Sequence, residues 1–329
     1  MDAVVLDGRG GIALETRPVP APGPGEVLIA PGATGICGTD LHLIEGTYAA
    51  GRYPLVPGHE FAGTIAAVGS DVSALRDGDL VAADPNLSCG ECRLCRMDAP
   101  NLCERIAALG INLPGSCAAY VLVPARVVVP LSPALDATTG ALVEPLSCVL
   151  NAVKRAPGWQ DAVMVVIGAG CIGLLATTVA IHLGAAEVHV VEPHALRRDR
   201  ALALGARSAA TAATELDLAD RVDLVLDASG HPGAIASAIP LLRKRGRFIQ
   251  MGVAHPEATI PVSPYAIYAK EVTYLGANSC GSSFPAAAEM MVDLADRVRP
   301  LVTHTFPLAR YADAVAAMRA PDAVKVQVA

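Results

Sequence analysis

From Ala162 to Ile181 the chain runs for twenty residues (AVMVVIGAGCIGLLATTVAI) without a charged side chain. Such a run is long enough to span a bilayer, or it is a buried strand passing into a buried helix. Gly168, Gly170 and Gly173 decide for the second, with β-branched residues before them and helix formers after. A second span, which would accompany a membrane segment, is missing from the sequence. The spacing predicts a strand over Val163–Ile167 and a helix over Leu174–Leu183.

The turn between them, Gly168-Ala169-Gly170-Cys171-Ile172-Gly173, has the form G-x-G-x-x-G. Gly168 permits the tight turn and Gly170, with Cys171 and Ile172 beside it, lets backbone approach a pyrophosphate. Gly173 lets helix pack on strand, and the amides at the helix start favour phosphate charge. The next strand, Glu187–Val191, ends at Glu192, nineteen residues past Gly173. A carboxylate there accepts hydrogen bonds from an adenine-ribose 2′-hydroxyl and repels a 2′-phosphate, so NAD is the expected cofactor. Arg197 and Arg198 follow closely and suit a phosphate, which leaves NADP open. Helix Leu196–Gly205, strand Val222–Leu226, helix Ala234–Leu242 and strand Arg247–Met251 continue the alternation of a doubly wound α/β parallel sheet. Ser229 and Val253, on the turns after two of these strands, are further candidate cofactor contacts.

Residues 1–147 read differently. Short β-type runs (VVL, EVLIA, FAGTIAAV, DLVAAD, AYVLVPA) separated by Gly, Pro and Asp turns predict a bent, barrel-like β domain. Within it Cys89, Cys92, Cys95 and Cys103 stand as C-x2-C-x2-C-x7-C in a stretch with almost no core-forming residues. Four thiolates on such short loops can close a tetrahedral shell around zinc and leave no open position. The ion would then hold a lobe together, a contribution on the order of 10–16 kcal/mol in small peptides. A disulfide cluster would suit a secreted chain. The start, Met1-Asp2, lacks the basic region and apolar run of a signal peptide, so nine cysteines point to a reducing cytoplasm.

Cys37 (in GICGTDLH), His59 (in VPGHEFAG) and Glu144 (in LVEPLSC) offer one thiolate, one imidazole and one carboxylate. Scattered in sequence, they are the candidate ligands of a second zinc with a position left for substrate. Glu60 either joins them as a ligand or tunes them from outside. A net charge of −7 argues against nucleic acid or an anionic membrane as the main partner. With 329 residues, 53% of them hydrophobic, the chain can build two domains with separate cores.

Taken in order, GICGTDLH, VPGHEFAGTIAAVG, CGECRLC…NLC, EPLSCVLNA and VVIGAGCIGLLA resemble the zinc-dependent medium-chain dehydrogenase/reductase family of alcohol, sorbitol and threonine dehydrogenases. The tail FPLARYADAVAAM…DAVKVQV resembles that family's return into its first domain. The resemblance implies a GroES-like catalytic domain over 1–147 and 286–329 and a Rossmann domain over 148–285. It also implies one catalytic and one structural zinc, and a homodimer or homotetramer. EPLS and IPVSPYAIYAKEVTYLGANS resemble the sorbitol or polyol branch, which implies hydride transfer from a secondary hydroxyl of a polyhydroxylated small molecule to the nicotinamide. In that scheme Thr39 takes the hydroxyl proton and passes it by way of the cofactor ribose to His42. One block departs from the family: Gly115-Ser116-Cys117-Ala118-Ala119-Tyr120 stands where Gly-Gly-Phe-Ala-Glu-Tyr is common. The same resemblance also covers a biosynthetic dehydrogenase of an aminocyclitol or a threonine-type amino alcohol, and a non-catalytic cofactor sensor. A sensor should have lost a catalytic ligand, whereas Cys37, His59 and Glu144 are all present.

Overall fold

The computed structural model describes residues 1–48 and 51–329. The chain divides into two units, Met1–Ser147 with Cys280–Ala329, and Cys148–Ser279. The return into the first unit thus starts at Cys280, ahead of the 286 read from sequence. The cause is local: Cys280 is wholly buried in the first unit, where its thiol donates to Glu144 Oε1 at 3.2 Å.

The second unit is built on six strands in the order Ser208–Ala210, Glu187–Val191, Val163–Ile167, Val222–Asp227, Leu242–Gln250 and Thr273–Gly276. All neighbours are parallel. Met164, Val165 and Val166 have no exposed surface. A central strand covered on both faces must be apolar at successive positions rather than alternating ones. The charge-free run is therefore core, and no helix among the described residues is long and apolar enough to cross a membrane. Its helix begins at Cys171 rather than Leu174, because Gly170 is extended and serves as the N-cap. The helix expected over 234–242 is Pro232–Ala238 followed by the 3-10 turn Ile239–Leu241. Pro232 sits in the first turn, where its missing N–H costs nothing, whereas Pro240 cannot continue an α-helix. The sheet order reverses between Val163–Ile167 and Val222–Asp227, and a crevice outside the carboxyl ends at such a point is where doubly wound sheets take ligands.

In the first unit a seven-stranded sheet runs Val302–Phe306, Lys325–Val328, Glu26–Ile36, Glu60–Val68, Leu80–Ala83, Val128–Pro130, with Val121–Pro124 also paired to Glu26–Ile36. Only the first pair is parallel. Val27, Ile29, Phe61, Ile65, Val81, Val121 and Val123 alternate inward along their strands and form one core. The short ladder Asn86–Leu87 with Ala107–Ala108 closes the base of the loop that carries the four clustered cysteines.

Candidate metal and cofactor sites

The sulfurs of Cys89, Cys92, Cys95 and Cys103 all lie within 4.8 Å of one another. Cys92–Cys95 is 3.5 Å, and Cys89–Cys95 and Cys92–Cys103 are each 3.9 Å. Tetrahedral zinc with bonds near 2.3 Å needs sulfur–sulfur edges of about 3.8 Å, so the four residues fit that ion. The amides of Cys89 and Arg105 donate to Cys103 Sγ at 3.3 Å, and that of Cys92 to Cys89 Sγ at 3.4 Å. Amide hydrogen bonds, together with neighbouring groups, bring the Cys89 thiol down to about 6. Desolvation and the adjoining thiols push Cys95 up to about 11. Thiols so close together share their protons unevenly, a tension that a divalent cation removes.

The second cluster is deep. Cys37 is the N-cap of helix Gly38–Ile44, and its amide donates to Asp40 Oδ2 at 2.9 Å. This capping arrangement fixes the Cys37 sulfur 3.0 Å from His59 Nε2. On the other nitrogen, His59 Nδ1 lies 3.9 Å from Asp40 Oδ1, and both atoms are buried without a hydrogen-bond partner. The carboxylate favours a proton on Nδ1, so Nε2, on the Cys37 side, is the nitrogen that would give up its proton to a metal. Burial pulls the His59 pKa down, but the charges of Cys37, Asp40 and Glu144 outweigh it and raise the group well above its ordinary value. Asp40 was not singled out in the sequence; its place three residues after an N-cap was the available signal.

Glu144 opens helix Val143–Arg155 and is buried, but its carboxylate does not close on Cys37 and His59. It sits against Cys280, a partner 136 residues away. Burial and then the charge of Glu60 push the Glu144 pKa up to about 7. Glu60 is also buried and pairs with the buried Lys325. Its side chain crosses Gly35 on the intervening strand, where an added Cβ would run into Glu60 Oε2. Lys325 carries no motif and was missed, because nothing local marks a partner 265 residues distant. Thr39 and His42 share one side of the Gly38–Ile44 helix by their spacing. Thr39 is half-buried and His42 exposed, with His42 Nδ1 3.3 Å from Thr47 Oγ1.

In the second unit the glycine turn is built for close approach. Gly168 has φ +93, and a Cβ on Gly173 would strike Gly168 O. A Cβ on Gly170 would meet nothing within 4 Å, so protein packing does not explain that glycine. Open space at the start of a twelve-residue helix suits a phosphate group. Glu192 is buried at the end of its strand, with Oε2 accepting from Ala169 N and Oε1 from His194 N, both at 2.9 Å. Cys171 and Ile172 lie in the first helical turn, half-buried, and Val253 is 87% exposed. Ser229 Oγ donates to Asp227 Oδ1 at 2.6 Å. Arg197 lies on the helix Ala195–Ala203, where the next residue, Arg198, donates to Glu192 O and Pro193 O at 2.9 and 2.7 Å.

Two family profiles match the chain, the alcohol dehydrogenase GroES-like domain over residues 23–133 and the zinc-binding dehydrogenase domain over 171–293. D-altritol 5-dehydrogenase of Agrobacterium fabrum is 33% identical, over 94% of this chain and 93% of its own. L-threonine 3-dehydrogenase of Caldanaerobacter subterraneus subsp. tengcongensis is 31% identical over 92% and 91%. The crystal structure of a zinc-binding dehydrogenase from Sinorhizobium meliloti 1021, bound to NADP, superposes with a TM-score of 0.93 at 30% identity, covering 99% and 98%. With a GroES-like unit, a Rossmann unit, two thiol-bearing clusters suited to zinc and relatives matched over more than nine-tenths of their length, the chain belongs to the zinc-dependent medium-chain dehydrogenase/reductase family, in its polyol dehydrogenase-like branch.

Proposed function

We propose that this oxidoreductase transfers hydride between NAD(H) and a secondary alcohol of a polyol or sugar alcohol. The observation that supports it most is the half-buried Cys37 thiol set against the buried imidazole of His59, 3.0 Å away, among buried carboxylates. Cys37, His59 and Glu144 would hold the catalytic zinc, and the four clustered cysteines the structural one. Bound there, zinc supplies Lewis acidity to a hydroxyl, and the nicotinamide supplies the carbon that accepts hydride. A ligand set with a single thiolate suits oxygen-rich substrates better than a two-cysteine set does.

The chain's own residues do the rest. Asp40 fixes the His59 tautomer. Thr39 receives the hydroxyl proton and exposed His42 hands it to solvent. Glu60, held by Lys325, acts from outside the ligand set and sets the charge around Glu144. Gly168, Gly170 and Gly173 with Cys171 and Ile172 form the pyrophosphate turn, and Ser229, Val253 and Arg197 border the cofactor. Glu192 would accept from the adenosine ribose and would oppose a 2′-phosphate. Like charges at hydrogen-bonding distance repel by about 1 kcal/mol in water and about 4 at an effective dielectric of 20, which gives preference for NAD rather than exclusion of NADP.

A screen of polyols, cyclitols, amino alcohols, ethanol and benzyl alcohol with both nucleotides tests the proposal. A polyol with NAD should give the highest kcat/KM, and Glu192→Ser should narrow the NAD:NADP ratio. A far better kcat/KM with ethanol or benzyl alcohol, or with NADP in the wild type, overturns it. The threonine dehydrogenase relative favours an amino alcohol as the second reading, and the same screen separates the two.

A further inference from the structure

At the carboxyl end of strand Val222–Asp227 stands a carboxylate with no solvent exposure, that of Asp227. Its Oδ1 accepts from Ser229 N at 3.0 Å and from Ser229 Oγ at 2.6 Å. Its Oδ2 accepts from Gly230 N at 3.0 Å and from Gln250 Nε2 at 2.6 Å. The backbone is tied in as well, since Met251 N and Gly252 N donate to Asp227 O at 3.0 and 2.9 Å. Gln250 Nε2 also donates to Gly252 O at 2.6 Å, and its Oε1 accepts from Tyr274 Oη at 2.8 Å. Two turns that follow adjacent parallel strands are therefore bound to one residue: 228–230 through its carboxylate, and 251–253 through its backbone carbonyl and, by way of Gln250, its carboxylate.

They are also pressed together. A Cβ on Gly252 would collide with Gly230 N and Asp227 Oδ2, and one on Gly230 with Val253 O. Gly230 has φ +67, a conformation that glycine adopts at little cost. The same assembly borders the glycine-rich turn, because a Cβ on Gly168 would lie 3.3 Å from both Ala228 C and Ser229 Cβ. A buried carboxylate is retained where its hydrogen bonds are complete; this one accepts four, two from backbone amides and two from side chains.

We propose that Asp227 is the positioning residue of the cofactor crevice, fixing the turns that carry Ser229 and Val253 relative to each other. This rests on the cofactor assignment made above. Asp227 touches no reacting atom, and it acts through the loops it holds. The adenosine half of the nucleotide depends instead on Gly168–Gly173 and Glu192, which hang on other strands. Loss of the Asp227 charge should therefore weaken the nicotinamide half alone.

The test is a fluorescence and calorimetric titration of wild type, Asp227→Asn and Gln250→Met with NADH and with AMP, alongside melting temperatures and zinc content. Asparagine keeps the volume but turns an N–H₂ toward groups that already donate. Asp227→Asn should bind NADH at least tenfold more weakly while AMP affinity and zinc content hold. Gln250→Met, at a half-buried position, should show the same split with a smaller loss and covers the case in which Asp227→Asn does not fold. Unchanged NADH affinity in both variants, or equal losses of NADH and AMP, overturns the proposal. Failure of the wild type to bind NADH at all would instead overturn the cofactor assignment beneath it.

Discussion

The four-cysteine lobe and the Cys37–His59 cluster are both zinc-suited, yet they are assembled in opposite ways. In the lobe, four identical donors come from fifteen consecutive residues, 89–103, and stand within 4.8 Å of one another, three of their edges at 3.5 to 3.9 Å, as one ion would satisfy. Around it Glu91 pairs with Arg105 at the surface. The inner cluster draws unlike donors from separate segments, surrounds them with the buried charges of Asp40, Glu60 and Lys325, and leaves Asp40 Oδ1 and His59 Nδ1 unpartnered. A shell of four equal thiolates has no vacancy and serves cohesion. An uneven set of three donors under strong local charge can hold an ion and still admit a substrate. Local sequence is enough for the first arrangement, whereas the second needs the whole unit.

The contrast is broken most directly at the ligands. Cys37→Ser should lower turnover by about a thousandfold or more, the scale of losing Lewis-acid assistance, while the circular dichroism spectrum and melting temperature stay close to wild type. Bound zinc, measured by atomic emission, should fall from two ions per chain to one. An active Cys37→Ser enzyme, or one zinc in the wild type, would sink the two-site picture. Cys95→Ser should do the reverse, lowering the melting temperature by about 10 °C and promoting aggregation, with kcat per folded, zinc-loaded inner site preserved.

Acid should sharpen the difference. Metal binding needs His59 and Glu144 deprotonated, and in the metal-free protein His59 titrates well above its usual value and Glu144 near 7. Inner-site zinc affinity should therefore fall about tenfold or more between pH 8 and pH 6, as read by chelator competition. The metal-free fold should move the other way. Both groups are raised on folding, so the stability they contribute is full below their unfolded values and is lost as pH rises through their folded ones. Melting of the apoprotein at pH 6 and pH 8 checks this; equal or higher stability at pH 8 would contradict the buried-charge account. The smallest effect belongs to the rim of the lobe. Glu91→Ala removes a pair whose side chains are 70% and 60% exposed, and the melting temperature should stay within about 1 °C.

What could be read from the sequence follows the same division. The strands Val163–Ile167 and Glu187–Val191 stand where apolar runs and turn residues put them, and the four sulfurs gather as their spacing requires. Periodicity and short spacings carry that information within a few residues. Helix limits were less legible, since capping by Gly170 and the break at Pro240 depend on single residues at the ends. The partners of the inner site were illegible for another reason. Cys280 reaches Glu144 and Lys325 reaches Glu60 only through strand and helix placements made across 136 and 265 residues. Asp227 ends a strand, and its hydrogen bonds to the neighbouring strand's loop exist only in the folded sheet.

Lys325 lies on the strand Lys325–Val328, which pairs with Thr34–Ile36, while residues 148–279 form a separate unit between them in the chain. During synthesis the edge of the first sheet therefore waits, unpaired, until the whole Rossmann unit has left the ribosome. Domains tend to fold as units in order of emergence, and an open strand edge invites pairing with other chains. The cysteine lobe needs only residues 89–103 and can close early, before the lysine that neutralises Glu60 has been made. The last strand to arrive thus completes both the sheet and the charge balance of the inner cluster, so assembly of the catalytic unit is a late, long-range event whose speed is limited by topology.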